Sequence, residues 1–376
     1  MKTLPTLIQK TADLKSLIAT ARKTDAVALD TEFVWERTYF PRLGLIQIGL
    51  SDEECFLIDP LSFDNLSPLG DLLTDRSVVK IVHDAPQDLI ILGRATDSVP
   101  QNIFDTRLAA GFADLPATLS LANLTHELLD IALKKSETRT NWLQRPLSKE
   151  QIDYALDDVR YMRAIRILIL SRIIGPKIRS WLQEELNLLN NPANYAQNNI
   201  EERYLKVRGV SRLDRQGLAI LQKLTIWREG VAKKFDRPRG HILKDQTMVE
   251  IAQIKPEAIP SLKSISQLSD KARSRYGEAI VAICAKAQTI PQNQYPLQPR
   301  PLRLNNSEKK RLERLHNLIE LKCAMLGISP EIIGNSSECK KLVKTLSNDS
   351  QTESPDLRQT SGWRKTFLQE FLRQNY

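Results

Sequence analysis

Residues 26–33 read Ala26-Val27-Ala28-Leu29-Asp30-Thr31-Glu32-Phe33, four apolar residues running into two carboxylates set two apart. A short apolar run of this kind predicts a buried strand. The strand period of two then puts Asp30 and Glu32 on one face, with Thr31 opposite. An Asp-x-Glu pair alone is weak, because most such pairs are solvated strand ends.

Working outward, the first 175 residues alternate strand and helix patterns. Leu45–Leu50 and Cys55–Ile58 predict two strands separated only by Ser51-Asp52-Glu53-Glu54, hence a hairpin. Val78–Val82 predicts a fourth strand and Ile103–Asp105 a fifth, with a helix over Gln87–Gly93 whose first turn holds Pro86. A long helix is predicted from Lys149 to Ile174, capped by Ser148 and stopped by Gly175-Pro176. Strands in a meander, then alternating with helices, imply a mixed α/β sheet.

Two further carboxylates join the first pair. Asp88 lies in the first turn of a helix after a buried-type strand, at the carboxyl edge where α/β folds build sites. The same position also suits a helix N-terminus electrostatically. Tyr154 and Asp158 are four apart and share one helix face, whereas Asp157 points elsewhere. Four converging carboxylates repel one another unless cations hold them. Oxygen-only ligands suit Mg²⁺ or Mn²⁺, and a pair of such ions is a device for phosphodiester hydrolysis.

Beyond residue 175 the pattern changes. Asn187–Asn199 predicts a linker. Residues 203–288 predict an all-helical unit. Leu218, Leu221, Leu224, Trp227 and Val231 form one apolar helix face, and further helical runs follow at Met248–Ile254, Ile265–Leu268 and Arg275–Ala287. Pro291–Pro301 predicts a stiff spacer. Residues 305–376 predict a second, less regular helical unit with a loose polar stretch at Ser347–Pro355.

The chain is 376 residues long with a net charge of +9. The charge is split: residues 1–175 carry −4 and residues 176–376 carry +13. An acidic half with clustered carboxylates joined to a basic half fits metal chemistry beside attraction for a polyanion. No apolar run reaches the roughly 18 residues that span a bilayer. The N-terminus lacks a signal-peptide core, so a cytoplasmic protein is expected. Cys55, Cys284, Cys323 and Cys339 form no Cys-x-x-Cys pair, which argues against a zinc site or a disulfide framework.

The motifs together resemble a known family. Ala28-Leu29-Asp30-Thr31-Glu32-Phe33, continued by Arg37-Thr38-Tyr39-Phe40-Pro41-Arg42-Leu43-Gly44-Leu45-Ile46-Gln47, resembles the first exonuclease motif of the ribonuclease D family. Val82-His83-Asp84-Ala85-Pro86-Gln87-Asp88-Leu89 resembles the second motif, and Tyr154-Ala155-Leu156-Asp157-Asp158-Val159 the third. Asn141-Trp142-Leu143-Gln144-Arg145-Pro146-Leu147 is similar to the segment before the third. Trp227-Arg228-Glu229, Ala232, Asp236, Pro238, Ile242-Leu243-Lys244-Asp245 and Ile251-Ala252 resemble the HRDC domain.

The resemblance implies the tyrosine branch of the DEDD exonucleases. The implied architecture is an RNase H-like mixed-sheet exonuclease domain (1–175), an all-α HRDC domain (203–288) and a degenerate second HRDC-like domain (305–376). It implies two divalent ions, Mg²⁺ or Mn²⁺, held by Asp30, Glu32, Asp88 and Asp158. Tyr154 is a poor base near neutral pH, since a free tyrosine titrates at about 10, and is expected to orient the attacking water. It implies 3′-to-5′ release of nucleoside monophosphates from RNA, with tRNA precursors as substrates. Phe33, Trp142 and Arg145 are candidates for holding the chain end, although Trp142 serves equally well as a packing aromatic. Arg237, Arg239 and Lys244 are candidates for phosphate contacts. On this division, deleting residues 203–376 is expected to raise KM for structured RNA more than it lowers kcat. A DNA 3′-5′ exonuclease and a non-catalytic RNA-binding scaffold stay open as alternatives. No interface pattern stands out, so a monomer is the default.

Overall fold

The computed structural model describes residues 6–134, 137, 140–195, 200–298, 302–347 and 357–373. The chain forms two compact units: residues 1–33, 43–196 and 302–376 make the first, and residues 34–42 and 197–301 the second.

The first unit is built on a six-stranded sheet. Its strands are β1 (Leu7–Ile8), β2 (Ala26–Val34), β3 (Arg42–Gly49), β4 (Cys55–Ile58), β5 (Val79–Val82) and β6 (Ile103–Asp105), in the order β1-β4-β3-β2-β5-β6. The hairpin is present, with Ile46 opposite Ile58 and Gly49 opposite Cys55 in antiparallel register. β5 lies parallel to both β2 and β6. β1, two residues long and parallel to β4, has no periodicity to betray it in the sequence.

Helices cover both faces of the sheet, so β2 is buried on both sides. Val27 and Leu29 pack with α1 (Thr11–Ala21), α2 (Ser67–Thr74) and α3 (Pro86–Thr96). Ala26 and Ala28 face the other core, which holds α4 (Thr106–Ala110), α5 (Leu121–Leu129), α6 (Lys149–Arg160), α7 (Met162–Arg172) and α8 (Pro176–Leu188). Small residues are needed there because α6 comes close. A Cβ on Gly49 would stand 2.9 Å from the Val159 carbonyl and 3.3 Å from the Ala28 Cβ.

The single helix predicted over Lys149–Ile174 is two. At Tyr161 the backbone takes φ −100°, ψ −4°, and its N–H turns to the Val159 carbonyl, which breaks the i→i−4 ladder. The buried stripe Gln151, Ala155, Val159, Met162, Ile165, Ile169 runs on across the break, so periodicity alone reads as one helix. Ser148 caps α6 as expected and forms a capping box with Gln151.

The second unit contains α9 (Arg215–Lys234), α10 (Arg239–Ile242), α11 (Asp245–Ile254) and α12 (Asp270–Gln288) around one apolar core. Leu218, Leu221 and Leu224 are buried as predicted, but Trp227 and Val231 are only partly so. Arg228 and Glu229 take the buried positions instead, at 5% and 1% exposure. Both are paired: Arg228 with Asp245 and the Leu243 carbonyl, Glu229 with Arg203 and Arg239. Ile265–Leu268 is a turn following a short 3-10 helix (Ile259–Ser264), not a helix. The segment 34–42 belongs to this unit. Asp236 accepts from Tyr39 N and Phe40 N, each at 3.1 Å, and the Arg239 guanidinium lies 4.7 Å from the Tyr39 ring centre.

Residues 302–376 do not stand as a body of their own; they group with the first unit. Their helices are α13 (Asn306–Leu326), α14 (Ser336–Thr345), α15 (Gly362–Phe367) and α16 (Gln369–Arg373). Leu315, Ile332, Trp363 and Phe371 share a core with Phe112, Ile165 and Trp181. Trp363 stacks on Trp181 at 5.1 Å, and Ser329 N donates to the Gly111 carbonyl at 2.7 Å. Deleting residues 203–376 therefore strips the core of the first unit and does not isolate the helical unit's contribution. Parts of three predicted segments, 196–199, 299–301 and 348–355, lie outside the described residues.

Candidate active site

Three elements bring the site together. β2 supplies Asp30 and Glu32 from one face, as the period of two requires. α6 supplies Tyr154 and Asp158 from consecutive turns. Carboxylate oxygens of Asp30, Glu32 and Asp158 all lie within 4.8 Å of one another, a spacing one cation can bridge. α3 supplies Asp88, which is 8% exposed and sits in that helix's first turn.

Asp88 is held by contacts that sequence reading missed. Thr31, only placed opposite Asp30 and Glu32 by the strand pattern, donates its hydroxyl to the Asp88 carboxylate. The turn before α3 is fixed by Asp105, whose carboxylate accepts from Asp84 N and Ala85 N at 3.1 and 2.9 Å. A threonine in a strand and an aspartate at a strand end carry no signal that foretells these roles.

The electrostatics are those of a cation site. Burial, then Asp88, Asp158 and Glu32, drive the Asp30 carboxyl far above the usual carboxylate range. Burial, with Asp158 and Asp88, pushes Glu32 up to about 9. Burial pushes Asp158 and Asp88 up to about 7, against the pull of Tyr154 on Asp158 and of Thr31 on Asp88. Burial and the neighbouring Asp158, Glu32 and Asp30 raise the Tyr154 hydroxyl beyond its already high range. Four hard oxygen donors that resist ionising together fit divalent ions of the Mg²⁺ and Mn²⁺ type.

The other candidates are placed differently. Trp142 is 2% exposed, its ring 6.1 Å from that of Tyr154. A Cβ on Gly44 would lie 2.7 Å from the Trp142 carbonyl, so strand and segment pass backbone to backbone. Arg145 donates five hydrogen bonds: two to Asp59, the others to the carbonyls of Gly44, Trp142 and Gln144. Burial pushes the Asp59 carboxyl up, but the bonds from Arg145 and Gln9 outweigh it and hold it below its usual value. Trp142 and Arg145 thus brace the wall beside Tyr154. Phe33 is partly buried at the end of β2. Arg239 is committed to Glu229 and Tyr39, whereas Arg237 and Lys244 are exposed.

A mixed sheet with Asp-x-Glu on a central strand, an aspartate in the first turn of the helix after β5, and a Tyr-x-x-x-Asp helix over the face that carries Asp30 and Glu32 defines a 3′-5′ exonuclease. Comparison agrees: residues 5–173 match a 3′-5′ exonuclease domain family and residues 217–284 the HRDC domain. Ribonuclease D of Desulfotalea psychrophila is 54% identical over 97% of this chain and 96% of its own length. Ribonuclease D of Escherichia coli is 30% identical over 96% of this chain and 95% of its own. The crystal structure of E. coli RNase D, described as an exoribonuclease involved in structured RNA processing, superposes with a TM-score of 0.83 at 29% identity, covering 98% of this chain and 97% of that one. The chain belongs to the ribonuclease D family. It is a 3′-5′ exoribonuclease with an HRDC domain, from a divalent-metal-dependent family, and it carries an acidic cluster able to hold a metal ion. Among the described residues, no helix is long and apolar enough to cross a membrane.

Proposed function

We propose that the protein trims the 3′ ends of structured RNA, tRNA precursors included, one nucleoside monophosphate at a time. The clustering of Asp30, Glu32 and Asp158 oxygens, with Asp88 buried beside them, carries this reading. Asp30, Glu32 and Asp158, whose oxygens converge, would hold the ions together with the buried Asp88. When bound, two Mg²⁺ or Mn²⁺ ions activate water and neutralise charge on the scissile phosphate. The remaining work falls to the chain. The Tyr154 hydroxyl, kept protonated, cannot act as a base near neutral pH, so it orients the attacking water by hydrogen bonding. Arg237 and Lys244, exposed on the helical unit, contribute salt-dependent contacts to phosphates. The protein acts in the cytoplasm, as a monomer.

The direct test digests RNA labelled at the 3′ or the 5′ end, with Mg²⁺, Mn²⁺ or EDTA. Immediate release of 3′ label as mononucleotide, abolished by EDTA, is expected. Retained 3′ label beside shortening 5′-labelled products cannot arise from this mechanism. A matched DNA oligomer trimmed equally well moves the assignment to general 3′-exonuclease activity.

Tyr154→Phe should lower kcat by roughly 10²-fold, within the range for a positioned proton-handling group, while Mn²⁺ affinity stays within a few-fold of the parent's. Titration calorimetry with steady-state kinetics checks both. Full activity removes Tyr154 from the mechanism.

The carboxylates also predict a pH dependence. Their values when unfolded are about 4; folded, they reach about 7 for Asp88 and Asp158 and about 9 for Glu32. A raised carboxyl value favours the proton-bound folded state. The cluster's contribution to metal-free stability is thus fully present below about pH 4 and is lost as pH rises toward 9. Divalent ions bind the ionised form, so their stabilisation grows over the same window. Thermal unfolding from pH 5 to 9, with EDTA or with Mn²⁺, should show the two curves diverging as pH rises. Parallel curves contradict the assignment.

A further inference from the structure

Gln47 is fully buried, and neither its Nε2 nor its Oε1 has a hydrogen-bonding partner among the described residues. An amide left this way is costly, and a leucine would fill the same strand position without penalty. Its neighbours on that face offer no ordinary partner. Along β3 they are Leu45 and Gly49, and across on β4 it pairs with Leu57.

The other flank is β2. The Gly49 Cβ position lies 3.3 Å from the Ala28 Cβ, so the two strands are side by side there. α6 gives their relative direction. Gly49 and Ala28 lie at its Val159 end, while Gly44 lies against Trp142, whose ring neighbours Tyr154. Asp30 and Glu32 also lie toward Tyr154 and Asp158. β2 and β3 are therefore antiparallel. Two residues along from the Gly49–Ala28 contact, Gln47 stands beside Asp30 on the face that carries the carboxylates.

We infer that Gln47 is a positioning residue for the metal site. Its amide N–H, across one ordered water, hydrogen-bonds the Asp30 carboxylate and holds it oriented for the ions. The inference rests on the metal-site reading above. It explains why a polar side chain stands in an otherwise apolar stretch of strand, on the face that carries Asp30. A carboxylate so held needs less reordering when cations arrive.

The test compares the full-length parent with Gln47→Leu and Gln47→Met, reading Mn²⁺ affinity by titration calorimetry and metal-free thermal stability side by side. Both variants should bind Mn²⁺ roughly 10- to 100-fold more weakly, the usual effect of losing a group that orients a ligand. Their metal-free melting temperatures should equal or exceed the parent's, because an apolar side chain among the apolar Leu45 and Leu57 replaces a buried amide and its trapped water. Mn²⁺ affinity within twofold of the parent's overturns the inference, as does a lowered metal-free melting temperature with unchanged affinity, which marks a packing role. Should the leucine variant fail to fold, the unbranched methionine carries the same two readings. A parent that binds no Mn²⁺ overturns the metal-site reading itself, a failure distinct from that of Gln47.

Discussion

Asp30→Ala should reduce nucleotide release to background, a loss of at least ~10³-fold, equivalent to about 4 kcal/mol of transition-state stabilisation. Burial raises the Asp30 carboxyl far above its usual range, and Asp88, Asp158 and Glu32 all push it the same way. Removing it takes away a member of the converging carboxylate cluster and relieves the repulsion among its neighbours. The variant should therefore combine two effects. Activity collapses and Mn²⁺ no longer raises the melting temperature, yet the metal-free protein is at least as stable as its parent. That combination separates lost metal chemistry from a damaged fold. Wild-type release rates from this variant sink the two-ion assignment.

The second large effect is on stability. Glu185 in α8 is 7% exposed. Its carboxylate takes both arms of the Arg364 guanidinium and the Trp363 indole N–H, the last at 2.7 Å. Arg364 also donates to the Ile332 carbonyl at 2.9 Å. Glu185→Ala leaves Arg364 charged, buried and unpaired, which costs about 3–5 kcal/mol. It also loosens the attachment of α15, where Trp363 stacks on Trp181. Denaturant unfolding should show the loss. Replacing both partners, as Glu185→Leu with Arg364→Met, should recover most of it, because two apolar side chains leave no stranded charge. A single variant within 1 kcal/mol of its parent shows that the C-terminal helices do not depend on this pair.

Much of the first unit is legible because its signals are local. β3 and β4 are short apolar runs parted by four polar residues, and they pair as that spacing demands. Ser148 and Gln151 advertise the start of α6, and Pro86 that of α3. The carboxylates are legible for the same reason. Asp30 with Glu32, and Tyr154 with Asp158, are each joined by one structural period, and Asp88 by its place in a helix's first turn.

What escaped involves partners distant in sequence. An arginine such as Arg145 reads as a phosphate ligand until its five donors are traced to Asp59 and three carbonyls. Arg228 and Glu229 lie on the wrong side of the apolar stripe until their partners are known. The break at Tyr161 is invisible because the buried stripe continues through it.

The amino-acid order alone therefore determined the sheet-and-helix class, the acidic cluster and the hydrolytic chemistry, since each follows from spacings within one element or from motifs in order. Only the three-dimensional packing decided that the last 75 residues complete the nuclease core, that Thr31 and Asp105 set Asp88, and that Gln47 lies beside Asp30. Those outcomes turn on contacts between segments remote in the chain, and no local periodicity encodes which remote segment a buried face will meet.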